Sequence, residues 1–238
     1  MKILKIGGSL ITEKREGVFE VAKEKEMERI AKILKGVRDI IIVHGVGSFG
    51  HPHVKKYGIS DAMSITKVHN ACLRLNIMFC SYLEKYDVSV FPIHPIEFFP
   101  NPDLKVVEKL LEFGFVPVFH GDVIMEGEKF RVISGDEIVR MLAEYFKPEK
   151  VGFASDSEIL HKGEVVEVVN ERNYQEILKD LKGAVGKDDV TGGMLNKYQE
   201  ALRIAKHCET YIFNSKNLEK FMKNEIVPTK IEKGNYKL

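Results

Sequence analysis

The sequence predicts an α/β fold: an open αβα sandwich with a mainly parallel central sheet and β-hairpins at the edges. Three observations predict it. Apolar runs such as Ile40-Ile41-Ile42-Val43 have strand length and no alternation, so they read as strands buried on both faces. Segments with helical spacing alternate with these runs along the whole chain. Glycine-rich turns follow several of the runs, at the carboxyl ends where open parallel sheets bind ligands. The chain has 238 residues, 44% of them hydrophobic, enough for a large core and for one or one-and-a-half domains.

In order, Lys2–Ile6 reads as a strand running into Gly7-Gly8-Ser9. Glu24–Lys35 is a helix, because Met27, Ile30, Ala31 and Leu34 form one apolar stripe. The strand Ile40–Val43 then enters His44-Gly45-Val46-Gly47-Ser48-Phe49-Gly50-His51, read as a loop. Asp61–Tyr86 is the longest helix, with Ile65, Val68, Cys72, Leu75, Phe79 and Tyr82 recurring every three or four residues. Its second apolar flank, with Ala71, Ile77 and Met78, suits the wall of an apolar ligand pocket. Val88–Ile93 is a strand, Leu104–Phe113 a helix stopped by Gly114, and Val116–Phe119 a strand. Ile124-Met125 and Phe130–Ile133 flank a hairpin turn, and Ser134 with Glu137 makes a capping box before the helix Ile138–Phe146. Val151–Ala154 is a strand ending at Ser155-Asp156. A second hairpin, Ile159-Leu160 with Val165–Val169, turns at Lys162-Gly163. After the helix Asn173–Leu181, the polar glycine turn Asp188–Met194 feeds the helix Leu195–Lys206. A strand at Tyr211–Phe213, a short helix near Leu218–Met222 and the segment Ile226–Ile231 complete the chain.

Composition excludes several functions. Lys+Arg 36 against Asp+Glu 35 gives a net charge of +1, so there is no bulk basic field and no nucleic-acid partner is expected. Cys72, Cys80 and Cys208 are odd in number and lack metal spacing, which argues against a disulfide framework and for a reducing cytoplasm. Charges begin at Lys2 and Lys5, so no signal peptide is expected. No apolar run approaches the roughly 18 residues of a membrane helix, so no membrane partner is expected. His53 follows His51 by two residues, but no carboxylate or cysteine stands near in sequence, and no metal site is predicted.

The chemistry concentrates in the glycine turns. Glycines let a backbone approach an anion with its N–H groups aimed at it, and His51 sets an imidazole beside the same anion. The 44–51 segment therefore reads as a phosphate holder, with His51 belonging to the phosphate of the acceptor. Gly45-x-Gly47-x-x-Gly50 also matches the dinucleotide fingerprint, but an earlier strand precedes it and His51-Pro52 follows it. A glycine turn without a ligand is the plain alternative. Gly7-Gly8-Ser9 is no Walker A loop, yet Lys5 and Lys14 flank it with two compact cations. Lys14 also reads as a solvated loop lysine, whereas Lys5 lies in a core strand and is costly to bury unpaired. Gly135 and Asp136, at a helix start, suit a bound phosphate or a catalytic lysine. Lys197, in a helix's first turn, opposes the dipole and points to a bound anion.

Lys5-Ile-Gly-Gly-Ser9, His44-Gly-x-Gly-Ser-Phe-Gly-His51, Ser134-Gly-Asp136 and Asp189-Val-Thr-Gly-Gly-Met194 occur in this order and span essentially the whole chain. Together they resemble the amino acid kinase superfamily and, within it, the archaeal isopentenyl phosphate kinases. The first motif is shared across the superfamily. The Gly-His closure and the Asp-Val-Thr-Gly-Gly turn are more specific to the isopentenyl phosphate branch and its fosfomycin-kinase relatives. The resemblance implies transfer of the ATP γ-phosphoryl to isopentenyl phosphate in mevalonate-pathway isoprenoid biosynthesis, with ATP and Mg²⁺ as cofactors. It implies a cytoplasmic homodimer acting on a small phosphorylated isoprenoid. It also implies a single domain, 1–238, with an acceptor-phosphate half over about 1–145 and a nucleotide half over about 146–238.

The resemblance also implies site residues. Lys5, Lys14, His51, Asp136 and Lys197 would be catalytic. Lys5, Gly7, Gly8, Ser9, Gly47, Asp156, Gly193 and Lys197 would bind ATP, while Val46, Gly50, His51 and Gly135 would bind the acceptor. Three departures stand out. Val46 replaces a usual glycine and disfavours positive φ. Ser155-Asp156-Ser157-Glu158-Ile159-Leu160 replaces Thr-Asp-Val-Asp-Gly and its successor, and Asn214-Ser215 replaces Asn-Gly. The last two bear on base recognition and nucleotide affinity. The competing readings are a same-fold kinase for another phosphate or phosphonate acceptor (fosfomycin-like or UMP) and a nucleotide-binding protein without turnover. His51 argues against a carboxylate acceptor.

Overall fold

The computed structural model describes residues 1–15, 17–185 and 193–238. The chain divides into two compact units, Leu4–Ile138 and Met1–Ile3 with Val139–Leu238. The fold is α/β with mainly parallel strands, as the alternation of runs predicts.

The first unit runs β1 (Lys2–Ile6, from Leu4 onward), α1 (Gly8–Ile11), α2 (Glu24–Ile33), β2 (Ile40–His44), α3 (Gly47–Tyr57) and α4 (Ala62–Lys85). It continues with β3 (Val90–Pro92), α5 (Pro95–Phe98), α6 (Lys105–Glu112), β4 (Val116–His120), β5 (Asp122–Glu126), β6 (Lys129–Ile133) and the start of α7 (Gly135–Phe146). The sheet order here is β1-β2-β4-β3, and β2, β4 and β3 pair in parallel. Every residue of β2 and of β4 is buried, which is why neither alternates. In α4, Asp61 accepts from the N–H of Met63 and Ser64 at 3.0 and 3.1 Å, and Ser64 Oγ accepts the Asp61 N–H at 3.2 Å. This capping box starts the helix, and Val68, Cys72, Leu75, Phe79 and Leu83 bury its stripe.

The second unit adds β7 (Lys150–Ser155), β8 (Leu160–His161), β9 (Glu164–Val165), β10 (Val168–Val169), α8 (Tyr174–Ala184), α9 (Gly193–Ile204), β11 (Glu209–Asn214), α10 (Leu218–Met222) and β12 (Lys230–Ile231). Its order is β10-β12-β11-β7, with β11 parallel to β7 and antiparallel to β12. Two ammonium groups, Lys150 and Lys2, donate to the carbonyls of Phe221 and Met222 at 3.0 Å each and neutralise the carboxyl end of α10. Among the described residues no helix is long and apolar enough to cross a membrane.

Several elements differ from expectation. The 44–51 stretch is not all loop, because α3 begins at Gly47 and carries Pro52 inside it. Proline removes a single helical hydrogen bond, and the Ser48 carbonyl so released accepts the Glu20 N–H at 3.1 Å. Gly8–Ile11 likewise forms one helical turn. The hairpins β5–β6 and β8–β9 are two-stranded ribbons of their own, outside the main strand order. Of the predicted Val165–Val169 strand only Val165 joins the second ribbon, with Glu164 before it, while Val168-Val169 pairs with β12. The Val88–Ile93 strand shrinks to three residues, and the Ile226–Ile231 segment contributes only the two-residue β12. The short helix α5 has no counterpart in the apolar pattern.

Gly152 in β7 lies under the Phe221 ring, where an added Cβ would meet ring carbons at 2.5 to 2.9 Å. Gly152→Ala should destabilise the chain by about 1–3 kcal/mol, the usual range for overpacking. Urea unfolding measures this as a lower midpoint with an unchanged slope.

Candidate active site

The first unit builds its site where β1 and β2 end side by side. The Gly45 N–H donates to the Ile6 carbonyl at 2.9 Å, so the two glycine turns leave the sheet together. A Cβ on Gly8 would lie 2.6 Å from the Gly47 nitrogen, and one on Gly45 would lie 2.6 Å from the Gly8 nitrogen. Side chains at these positions would separate the turns. The Thr12 hydroxyl pins the arrangement, donating to the Gly8 carbonyl at 2.8 Å and accepting the Ser48 N–H at 3.1 Å. Gly47 has φ +43, a left-handed conformation that favours glycine. The N–H groups of Gly8 and Gly47 open α1 and α3 and have no acceptor among the described residues. Two sets of orphan donors thus face a common space suited to phosphate oxygens.

Cations border this cradle. Lys5 is 6% exposed, and its Nζ lies 2.6 Å from Asp136 Oδ1 at the start of α7. The pair answers the problem of a lysine in a core strand. Gly135 makes room for it, since a Cβ there would stand 3.4 Å from Lys5 Cε and 3.3 Å from the His44 carbonyl. His51, in α3, is exposed. Although the residue is exposed, the neighbours crowding its ring desolvate it and push its pKa down, and the charges of Lys5 and Lys14 push it further. Lys14 is exposed and has no ion-pair partner among the described residues. Gly7 and Ser9 flank Gly8 at the same turn.

Val46 does not take the positive φ that a glycine there would permit; its φ is −101° and it forms the N-cap of α3. Its side chain packs on Val68, Cys72 and Val123, with a γ-methyl directly over Gly50, so Gly50 has room for no Cβ. Ile65 belongs to the same cluster and also lines an open groove of about 490 Å³ with Ala62, Thr66, His69, Ile96 and Phe130. The groove uses the 62–70 face of α4. The expected flank at Ala71, Ile77 and Met78 is not its wall, and Ile77 is instead 60% exposed.

Beneath the turns lies a layer of imidazoles to which the sequence pattern assigns no role. His44 and His120, which end β2 and β4, are fully buried and stacked 5.7 Å apart. Each Nδ1 donates to the carbonyl of the next residue, Gly45 at 3.0 Å and Gly121 at 2.9 Å. His120 Nε2 is left to accept from His94 Nδ1 at 3.3 Å. His69 Nδ1 donates to the buried Asp122 carboxylate at 2.8 Å.

In the second unit, Lys197 is the fifth residue of α9, which begins at Gly193, and not part of a first turn starting at Leu195. It is 8% exposed, and its Nζ donates to Ser155 Oγ at 2.6 Å at the end of β7. Asp156 follows, exposed, its carbonyl accepting from Asn214 Nδ2 at 3.1 Å. The predicted Asp189-Val190-Thr191-Gly192 turn lies outside the described residues. Sequence reasoning missed Thr12, whose hydroxyl joins the two turns, and Ser155 as a partner of Lys197. Neither has a local signal for its cross-chain bond, because Ser48 lies 36 positions from Thr12 and Lys197 lies 42 from Ser155.

Residues 1–214 match the amino acid kinase family. The isopentenyl phosphate kinase of Methanocaldococcus jannaschii is 31% identical, over 98% of this chain and 98% of its own. That of Methanothermobacter thermautotrophicus is 30% identical, over 98% of this chain and 94% of its own. An X-ray structure of isopentenyl phosphate kinase aligns with TM-score 0.80 and 26% identity, covering 97% of this chain and 99% of the other.

The imidazole layer sets a pH dependence. Burial pushes His44 below the ordinary 6.5 and His120 well below it. The folded chain resists their protonation, so their stabilising effect is full above about pH 6.5 and is lost as pH falls below it. His69 is raised by its Asp122 bond and works oppositely, its contribution fading as pH rises through its folded pKa. Burial in turn pushes the Asp122 carboxyl up, against the pull of His69. Two fully buried rings outweigh one half-buried ring, so the urea midpoint at about pH 5 should fall below that at about pH 7.5. His120→Gln should narrow the gap.

Proposed function

The chain belongs to the amino acid kinase family, and we propose that it transfers the γ-phosphoryl of ATP to isopentenyl phosphate, giving isopentenyl diphosphate and ADP. The observation that carries this reading is likeness along nearly the whole chain, at 31% identity, to an isopentenyl phosphate kinase. The cradle of orphan N–H groups beside Lys5 and His51 supports it chemically.

In the reaction a phosphate oxygen of the acceptor attacks the γ-phosphorus, and the bond to the bridging oxygen breaks, its electrons leaving with ADP. The attacking group is already an anion, so no general base is needed. Catalysis rests on positioning and on neutralising charge. Lys5, Lys14 and Lys197 serve the ATP phosphates in this proposal, and Asp136 orients Lys5. Gly7, Gly8 and Ser9 line the nucleotide phosphates. Val46 and Gly47 offer backbone N–H groups to the acceptor and donor phosphates. His51 donates to the acceptor phosphate, whose negative charge raises the imidazole pKa again on binding. Gly50 lets Val46 close over the first turn of α3, and Gly135 borders the acceptor. The groove along α4 takes the hydrocarbon tail. Asp156 and Gly193 belong to the nucleotide.

The proposal assigns residues about 1–145 to the acceptor phosphate and about 146–238 to the nucleotide. Mg²⁺ arrives with ATP in this reading. No group of three or more His, Cys, Asp or Glu suited to a metal ion occurs among the described residues. A cytoplasmic homodimer completes the proposal.

Phosphorus NMR of the protein with ATP, Mg²⁺ and isopentenyl phosphate tests it: new diphosphate resonances should appear alongside ADP. Lys5→Ala and His51→Ala should each lower turnover on the order of 10²–10³, by analogy with removal of one oxyanion donor. Unchanged kinetics in His51→Ala would remove that residue from the mechanism.

A further inference from the structure

We propose that Glu20 is a positioning residue, clamping the Lys14-bearing loop onto α3 so that Lys14 and His51 serve the same anion. The inference rests on the kinase reading only for what that anion is.

The loop starts and ends at a bridge between Thr12 and Ala22. The Glu13 N–H donates to the Val21 carbonyl, and the Lys23 N–H to the Ile11 carbonyl, each at 2.9 Å. Lys14 leaves the bridge on the outgoing limb. On the return limb, Glu20 meets two helices at once. From α4, Arg74 Nε and Nη2 donate to its two carboxylate oxygens at 2.8 and 2.6 Å. From α3, His53 Nε2 lies 3.0 Å from Oε1. Phe19 sets its ring edge-on to His53 at 5.3 Å, and Lys56 lies over the Phe19 ring at 5.1 Å. Arg74 holds the Glu20 carboxyl below the usual carboxylate range, so it is ionised at neutral pH.

The backbone joins at the same point. The Glu20 N–H bonds the Ser48 carbonyl that Pro52 leaves without a helical donor, and the Val21 N–H reaches Ser48 Oγ at 3.3 Å. Glu20 has φ +51, a conformation uncommon outside glycine, asparagine and aspartate. An exposed ion pair is ordinarily worth little to stability. A bidentate arginine and a backbone bond, converging on one left-handed glutamate whose carboxylate also lies beside His53, instead define where the loop lies. Lys14 is a flexible side chain on an exposed loop. Anchoring the return limb shortens the free segment that carries it. The other end of the clamp is the start of α3, whose first turn bears Gly47 and is followed directly by His51.

The test is a titration of His51 by NMR in the wild type, Glu20→Gln, Lys14→Ala and the double variant, together with steady-state kinetics. The signs separate the alternatives. Removing a carboxylate's direct field would lower the His51 pKa, whereas releasing Lys14 from His51 would raise it. The expected result is a raised His51 pKa in Glu20→Gln, with no further rise when Lys14→Ala is already present. The kcat should fall about tenfold, less than the ~10²-fold cost of a 1 Å misplacement, and Glu20→Gln should have no effect on kcat in the Lys14→Ala background. The acceptor KM should stay within about twofold. A His51 pKa that falls or stays put in Glu20→Gln overturns the proposal, as does an equal kcat loss with and without Lys14. Should the wild type form no diphosphate, the kinase reading fails, and the titration still decides the clamp.

Discussion

The close approach of two backbones, at Gly8 and Gly47, is the constraint on which the rest of the first unit depends. Those nitrogens and α-carbons stand where any Cβ would collide, so the turns after β1 and β2 must be glycine on both sides of the meeting point. Once they meet, each helix that follows begins with donors that have no acceptor among the described residues. The Thr12 hydroxyl can then bond both turns, because it sits between the Gly8 carbonyl and the Ser48 N–H. Acceptor oxygens for those donors are what a phosphate-sized anion would supply.

Charge is handled differently at each lysine. Lys5 is buried, and a carboxylate at 2.6 Å balances it, so its charge is held in place rather than offered freely. Lys14 is exposed and keeps its charge available, at the cost of a flexible stem. Lys197, in the second unit, is buried, and its ammonium donates to the Ser155 hydroxyl at 2.6 Å, a bond that orients it. Within the first unit a paired, fixed cation and an exposed, mobile one do different work, because anions are attracted by net charge and placed by fixed donors. The loop carrying Lys14 is stitched to α3 by Glu20, and a single proline provides the carbonyl that makes the stitch. Pro52 thus breaks nothing in α3. It moves one hydrogen bond from within the helix to a neighbouring strap.

Local patterns alone carry the fold class, the strands buried on both faces and the identity of the glycine turns. Those features are local: a run of branched apolar residues excludes an exposed strand, and glycine clusters mark close approach. The sequence also marks Lys5 as a residue needing a partner, and the motif order carries the family. Which residues answer one another across distance depends on the folded arrangement. Asp136 pairs with Lys5, Thr12 reaches Ser48, Ser155 lies under Lys197 and Arg74 grips Glu20, each across 36 or more positions and with no periodic trace. The helical state of 47–57 was hidden for the same reason. Glycine and proline lower local helix propensity, and the compensation, a hydrogen bond from Glu20 and packing of Val46 on Val68 and Val123, is supplied by segments elsewhere in the chain.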